Sequence, residues 1–492
     1  MFQHVSAFLS SRSLAQPRAG KQRAEPVPAV LIRIGLASAM LCAHLSARAD
    51  DSARTEARAE GASAASKPEA RHADLEPPRT SAPERSASTV ELPPLKRPLA
   101  SKAWYTDSQV LSAQSATTSD PEGSGVHEPR ESTQVRAGIG EGLTVIAPKR
   151  RASLTVRARV QLRATGRAGG EPEGGVGFMV RRARLLLRGF LLSARWEYYI
   201  QLGFSNLDME PDLRIPLRDA YVTWLGLRDL NVRFGQMKVP FNRQRVISSG
   251  AMSFADRTLV VSELNLDRDV GIQLMSTDFL GLNRRLSYSV GLFSGEGRNR
   301  ITIAPGLLWV GRVQVAPFGG AFADYDEVAH QHETSPKLAI GLAGAYNQNS
   351  RRELSTFGNS FSTERTGYTH GAIDVIFRYA GLTLMSEALL RRANDAWLAP
   401  EGAPAFFTRS GWGYFFQSGY LFPKGIEIVG RYGDLYPLAG GSAVDSIREM
   451  GPGISYYFTR HDLKIQADYA YRDTANPLLA THEARLQVQL FL

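Results

Sequence analysis

From about Arg150 to Leu492 the chain is a series of short segments that alternate apolar and polar residues, each closed by Gly, Pro, Asn or Asp. The segment from Ser153 to Arg163 shows the pattern plainly. Leu154, Val156, Ala158, Val160 and Leu162 fall on one side, and Thr155, Arg157, Arg159, Gln161 and Arg163 on the other. A period of two belongs to a β-strand, whose successive side chains point to opposite faces. The last segment, Ala484 to Leu492, repeats the pattern up to the final residue. Strands of roughly ten residues with one unbroken apolar face and one charged face place lipid on one side and water on the other. The expected fold is therefore all-β: a closed transmembrane antiparallel barrel.

Composition agrees once this pattern is known. No run of about eighteen apolar residues is present, so no helix is predicted to span a membrane. A strand-built membrane protein hides its lipid face from bulk hydropathy, because half of every strand is polar. The formal net charge is +10, and Arg greatly outnumbers Lys. That balance admits nucleic acid, acidic lipid or an anionic solute as partner. The single cysteine, Cys42, leaves no disulfide to form within the chain.

The N-terminal third is different material. Arg12, Arg18, Lys21, Arg23 and Arg33 precede an apolar run from Ile34 to Leu45, and Ala47-Arg48-Ala49 offers a small-residue cleavage site. Residues 1–49 read as a signal peptide, which implies export. Residues 50–149 are rich in Ala, Ser, Pro, Glu and Arg, with few aromatics and no sustained period. Such a segment cannot bury enough apolar surface to offset the entropy of ordering, so a disordered periplasmic linker is expected. A spacer and a tether to a periplasmic partner both fit it.

Sixteen alternating segments can be counted in residues 150–492, the first beginning near Ser153 and the last near His482. An even number suits a barrel with both ends in the periplasm. Tyr379-Ala380-Gly381 and Pro423-Lys424-Gly425 are hairpin-short connections. Those from Val239 to Arg268, Pro317 to Ser335 and Asn347 to Gly367 are long, and all three are expected on the outer face. Trp196, Tyr198, Phe204, Trp224, Trp309, Trp412, Tyr414, Phe416, Tyr456, Tyr457, Tyr469 and Tyr471 gather near strand ends and outward positions. They are the expected girdles at the two headgroup levels.

Four pieces then occur in order, Gly235-Gln-Met-Lys-Val-Pro-Phe241, Ser248-Ser249, Phe254-Ala-Asp-Arg-Thr258 and Arg268-Asp-Val-Gly-Ile-Gln-Leu274, with Arg218-Asp-Ala-Tyr-Val222 upstream of them. Together they resemble the phosphate-selective porin O and P family. The resemblance covers about Arg150 to Leu492 and implies a sixteen-stranded homotrimeric barrel for phosphate-like anions, with a loop after the fifth strand folded into the pore. This chain departs from the family in its sparse Lys and in the Asp256, Glu263, Asp267 and Asp269 that accompany the loop's arginines. The loop from Val239 to Arg268 is also too long and too apolar for a plain connection, since Val246, Ile247, Met252, Phe254, Leu259, Val260 and Val261 need a surface to pack against.

Arginine placement gives the candidate site. Arg157, Arg159 and Arg163 oppose the apolar face of the first strand, and Arg182, Arg184 and Arg188 that of the second. An Arg facing lipid at mid-membrane costs about 2–4 kcal/mol, so all six should face the lumen. A guanidinium is always charged and forks onto phosphate oxygens. Arg233 on the fifth strand, with Arg243, Arg245 and Arg257 of the loop, completes the candidate pore-lining and anion-binding set. An alternative stays open: these arginines pair with lumenal acids such as Glu197, Asp219, Asp374, Glu387, Glu427 and Asp468.

Other chemistry finds little support. Gly138-Ile-Gly-Glu-Gly142 lacks the Lys-Ser/Thr of a phosphate loop and reads as a flexible turn. His330-Gln-His-Glu333 has metal-type residues but no second ligand pair, and reads as a solvated loop. No Gly-x-Ser-x-Gly elbow appears, so no enzyme, metal or cofactor is expected. The basic linker lacks the interleaved aromatics of a nucleic-acid binder. The expected function is passive diffusion of small anions across the bacterial outer membrane. A non-selective porin and a structural anchor whose working part is the linker are the alternatives.

Overall fold

The computed structural model describes residues 132–492 apart from residues 139, 171–173, 211, 301–305, 321–324, 403 and 475–479. The expected signal peptide, with Cys42, and most of the linker lie outside the described residues. In chain order the strands are β1 (Gln134–Gly138), β2 (Gly142–Ile146), β3 (Ala152–Ala168), β4 (Gly175–Leu191), β5 (Ser193–Gly203), β6 (Leu217–Trp224) and β7 (Asn231–Lys238). Two short helices follow, α1 (Arg243–Val246) and α2 (Leu259–Leu264). The chain continues through β8 (Arg268–Ser276), β9 (Leu286–Phe293), β10 (Leu308–Val315), β11 (Lys337–Ser350), β12 (Thr366–Tyr379) and β13 (Leu382–Ala393). After a two-residue pair, β14 (Trp397–Leu398) and β15 (Phe406–Phe407), come β16 (Gly411–Leu421), β17 (Ile426–Pro437), β18 (Ile447–Thr459), β19 (Leu463–Thr474) and β20 (Thr481–Phe491).

Each strand from β3 to β13 and from β16 to β20 pairs antiparallel with its neighbour, and β20 pairs with β3. The result is a closed sixteen-stranded barrel, as the period-two count implied. Closure gives each of these sixteen strands a partner on both sides among the described residues, which is what a backbone in hydrocarbon requires. The side chains are arranged inside-out relative to a water-soluble sheet. On β11, Leu342 is 65% exposed while the adjacent Ala343 is 5% exposed. Phe178, Val180, Leu162, Ile428 and Ile454 likewise face outward, while Arg159, Gln161, Glu387 and Glu427 are buried within. Among the aromatics, Trp196, Phe204, Trp309, Tyr456 and Tyr469 are exposed. Tyr457 corrects its girdle placement: it points inward and donates a 2.6 Å hydrogen bond to Glu427.

Two features differ from the sequence reading. Residues 134–146, assigned to the linker, form a hairpin whose second strand pairs with Ser153–Val156 of β3. β20 occupies the same edge of β3 from Arg159 to Ala168, so β2 continues the line where the chain's last strand stops. The first strand of the hairpin is mostly exposed and the second half-buried, with no fully buried residue in either; backbone pairing to that free edge, rather than an apolar face, orders it, and composition carries no sign of this. The second difference is parity. The long connection from Ala316 to Pro336 follows the eighth barrel strand, so it lies at the short-turn end with Ala380 and Lys424, not with the other long loops.

Candidate pore constriction

The segment between β7 and β8 runs through the barrel interior. Gly235 begins the approach. Its φ of 130° and the carbonyl of Ala220, 2.2 Å from where a Cβ would stand, exclude any side chain. Lys238 then donates to the carbonyls of Val246 (2.8 Å) and Ile247, at the C-terminal end of α1. Arg257 donates to the carbonyls of Gln244 (2.9 Å) and Ile247 (2.7 Å). Cations at that end suit the partial negative charge of the exposed carbonyls. At the exit, Arg268 grips Asp219 through two hydrogen bonds of 3.0 Å. The Arg-Asp pieces of β6 and β8, distant in sequence, thus form one hinge. Ile247, Met252, Val260, Val261 and Leu264 bury fully against Phe415, Leu389 and Leu435 of the wall, with Val246 and Leu259 partly buried beside them.

Polar contacts tie the segment to many strands. Asn242 donates to Glu387 of β13 (2.7 Å), Ser253 to Glu427 of β17 (2.8 Å), and the amide of Ala255 to Asp468 of β19 (2.7 Å). Glu263 holds Arg409 (2.9 Å) and Arg391 of β13. At Gly250 the chain passes close to Arg159 and Phe491, and a Cβ there would require the Arg159 guanidinium to shift. The wall acids singled out from the sequence are therefore engaged largely by this segment.

The candidate arginines fall into distinct settings. Arg163 and Arg182 meet Asp256 of the inward segment at 2.5 and 3.5 Å, and Arg181 and Arg485 join the same carboxylate at 3.1 and 3.6 Å. Four guanidinia thus surround one carboxylate. Burial alone would raise the pKa of Asp256, but Arg181 and Arg163 outweigh it and hold the acid well below the usual carboxylate range. Arg184 pairs with Asp208, 3.1 Å from its Nε, and also donates to Ser249. Arg159 donates to Ser249 at 2.9 Å with its guanidinium over the Phe491 ring. Arg188 stands on the same face of β4 as Arg184 and is half-buried. Arg233 bonds Thr223 (3.0 Å) and lies over the Tyr221 ring. Arg243 and Arg312 both clasp Asp374, at 2.8 and 2.6 Å. Arg245 pairs with Asp267. Arg157 sits apart at the short-turn end, bridging the carbonyl of Gly140 in the β1–β2 turn to Asp462 (3.0 Å) in the β18–β19 turn.

Sequence reasoning passed over Arg181. A bulge in β4 pairs Gln161 with Arg182 and Leu162 with Val180, leaving Arg181 as the extra residue. Only such a bulge lets two consecutive arginines avoid lipid, and the Arg181-Arg182 doublet was its signal. The connection from Ala316 to Pro336 was also passed over. It too enters the barrel, where Glu327 accepts from Gln244 (3.0 Å), the amide of Ser253 (3.0 Å) and Gln417 (2.9 Å). His330, expected in solvent, is largely buried against Tyr457 and His461. A cavity of about 40 Å³ remains between this packing and the wall, lined in part by Arg233, Lys238, Arg312, Asp219 and Gln273.

Residues 156–372 match the family model of phosphate-selective porin O and P. No curated protein matches the sequence. Among solved structures, the chain is similar to an anion-selective porin from Comamonas acidovorans (12% identity, TM-score 0.47, covering 69% of this chain and 100% of that one). It is also similar to the outer membrane channel DcaP of Acinetobacter baumannii (12% identity, TM-score 0.46, 70% and 98%). A third is OmpT of Vibrio cholerae (10% identity, TM-score 0.44, 70% and 100%). With the family match falling on the barrel strands and on the inward segment between them, residues 156–372 are similar to the phosphate-selective porin O and P family, and the chain is a β-barrel of the bacterial outer membrane.

Proposed function

We propose that this outer-membrane porin passes small anions by diffusion, that arginines line its path, and that the segment from Val239 to Asp267 narrows it. The observation that carries the reading is the excess of guanidinium over carboxylate around Asp256, where four arginines meet this acid and only one of them, Arg485, also pairs with Asp468 there. A fixed positive excess in a narrow, poorly screened passage favours anions, whereas a wide lumen lets salt screen it within about 8 Å. The cavity beside Arg233 and Lys238, at about 40 Å³, has room for roughly three waters, given that one water needs about 10–15 Å³. Chloride fits such a space. Phosphate, which can accept from several guanidinia at once, would linger on the arginines and slow chloride. Assembly as a homotrimer belongs to the same reading and rests on the family resemblance.

The test is a planar bilayer holding the purified protein across a KCl gradient. The reversal potential should take the sign of chloride permeation, and added phosphate should reduce chloride current. A cation-selective reversal potential would overturn the reading. A second reading, a barrel serving as a structural anchor, is favoured by one observation: the interior side chains Arg159, Gln161, Arg243, Glu387 and Glu427 are all at most 1% exposed. A protein that inserts without conducting would support it.

A further inference from the structure

The Ala316–Pro336 connection and the β18–β19 turn bring together three metal-type ligands that the porin reading does not use. Asp326 and His330 stand four positions apart in the connection, and His461 lies in the turn. One ligand atom from each lies within 4.8 Å of the other two. His461 Nε2 is already 2.8 Å from Asp326 Oδ1, and the His330 and His461 rings meet edge to face at 4.6 Å between centroids. Asp326 is 3% exposed and His461 is fully buried. Among the described residues, His330 Nε2 is buried with no hydrogen-bond partner. A buried imidazole nitrogen without a partner forgoes a hydrogen bond it would have in water, and so calls for an explanation.

We infer that Asp326, His330 and His461 form a binding site for a divalent transition cation of the zinc class. Two imidazoles and one carboxylate are a donor set for such an ion, while Mg²⁺ and Ca²⁺ prefer oxygen alone. Three protein ligands leave a fourth position for water. Ligand atoms bound at about 2.0–2.2 Å in a tetrahedron stand roughly 3.4 Å apart, so Asp326 and His461 need to separate by only about half an ångström to admit the ion. The carboxylate is held by other contacts during that shift, since Asp326 Oδ1 also accepts from the amide of Val328 at 2.8 Å. Arg378 holds the backbone carbonyl of Asp326. Lys464, Arg378 and Arg460 are the nearby cations that oppose binding; the Lys464 ammonium is turned to the carbonyl of Met252 at 2.8 Å. The bound ion ties the connection to the turn at the periplasmic end and leaves the anion path a separate matter.

The experiment uses the full chain, stripped with chelator in detergent and titrated with Co²⁺, with Zn²⁺ as competitor. The expected result is one saturable Co²⁺ per chain with the intense visible bands of low coordination number, displaced by Zn²⁺ and not by Mg²⁺. His330→Ala should weaken binding by more than the ~10–100-fold typical of losing a supporting partner, whereas His332→Ala, two residues on, should leave it unchanged. His330→Gln is measured in the same way if the alanine variant does not fold. Wild-type affinity in the His330 variant, or no saturable low-coordinate Co²⁺ in the wild type, would overturn the assignment.

Discussion

Arg163 Nη1 stands 2.5 Å from Asp256 Oδ2, a contact that joins β3 of the wall to the inward segment. Arg163 also donates to the carbonyl of Ala255 at 2.9 Å and to Gln487. One guanidinium therefore both fixes the segment and adds charge to its surroundings. The two roles separate in Asp256→Asn. The amide keeps the shape but removes the one negative charge shared by four arginines. Chloride-over-potassium permeability, read from the reversal potential in bilayers, is expected to rise severalfold, with more frequent brief openings as the tether weakens. An unchanged reversal potential would show that anions do not pass this cluster.

Arg182→Gln and Arg157→Gln should behave differently, although the sequence places both arginines on lumenal faces. Arg182 belongs to the Asp256 cluster, so its loss should reduce anion preference about twofold or more while the barrel still assembles. Arg157 bridges two turns at the periplasmic end. Its loss should leave selectivity alone and make residues 134–146 accessible to protease. Equal effects of the two on the reversal potential would contradict this division.

This contrast marks how far the sequence could be read. The sixteen strands were legible because lipid outside and water inside impose a period of two on every strand, as in Ser153 to Arg163. The packing of residues 239–267 against wall residues was legible because Val246, Met252 and Val260 need an apolar surface. The partners of the arginines were not legible. Asp256 reaches Arg163 from 93 positions away, and only the closed barrel sets that contact. The hairpin at 134–146 was hidden because it is held by backbone pairing. The Asp326, His330 and His461 grouping was hidden because it spans two connections that meet only at one end of the barrel. The Arg181-Arg182 doublet was a signal present in the sequence and passed over.

Deleting Ser248 to Val260 should raise single-channel conductance severalfold and reduce anion preference at the same time. The deletion removes the packing of Met252 and Val260 and the single charge of Asp256, but with Ser253 and Ala255 it also takes away the partners of two wall acids, Glu427 and Asp468. Those wall acids would then face water and offset the arginines. Greater conductance with unchanged selectivity would place the selective element elsewhere.

Asp374→Ala should be the most damaging single change to folding. Arg243 and Arg312 converge on this fully buried carboxylate at 2.8 and 2.6 Å. Removing it leaves two guanidinia uncompensated, and breaking a buried pair of this kind costs about 3–5 kcal/mol. The loss should appear as a lower urea midpoint for the heat-modifiable barrel. Replacing Asp229, which pairs on the surface with Arg228 at 2.7 Å, should shift the midpoint little, since exposed pairs contribute about 0–1 kcal/mol.

The inward segment should stay in place down to acidic pH. Asp256, Glu263 and Asp267 are its charged anchors, and in each burial would raise the pKa. Arginines outweigh burial in all three: Arg181 and Arg163 at Asp256, Arg409 and Arg391 at Glu263, and Arg245 and Arg268 at Asp267. A carboxyl whose folded pKa lies below its unfolded value, about 3.9 for Asp and about 4.3 for Glu, adds stability that is complete above the unfolded value. That contribution is lost only as pH falls through the folded value. Conductance should therefore be flat from pH 8 to about pH 4 and rise below about pH 3 as the anchors protonate and the segment loosens. In Asp256→Asn the acid-induced rise should be smaller, because part of the loosening is already present at neutral pH. A conductance step near pH 6 in the wild type would show that protonation of the wall acids that also hold the segment, rather than of these three carboxylates, governs its release.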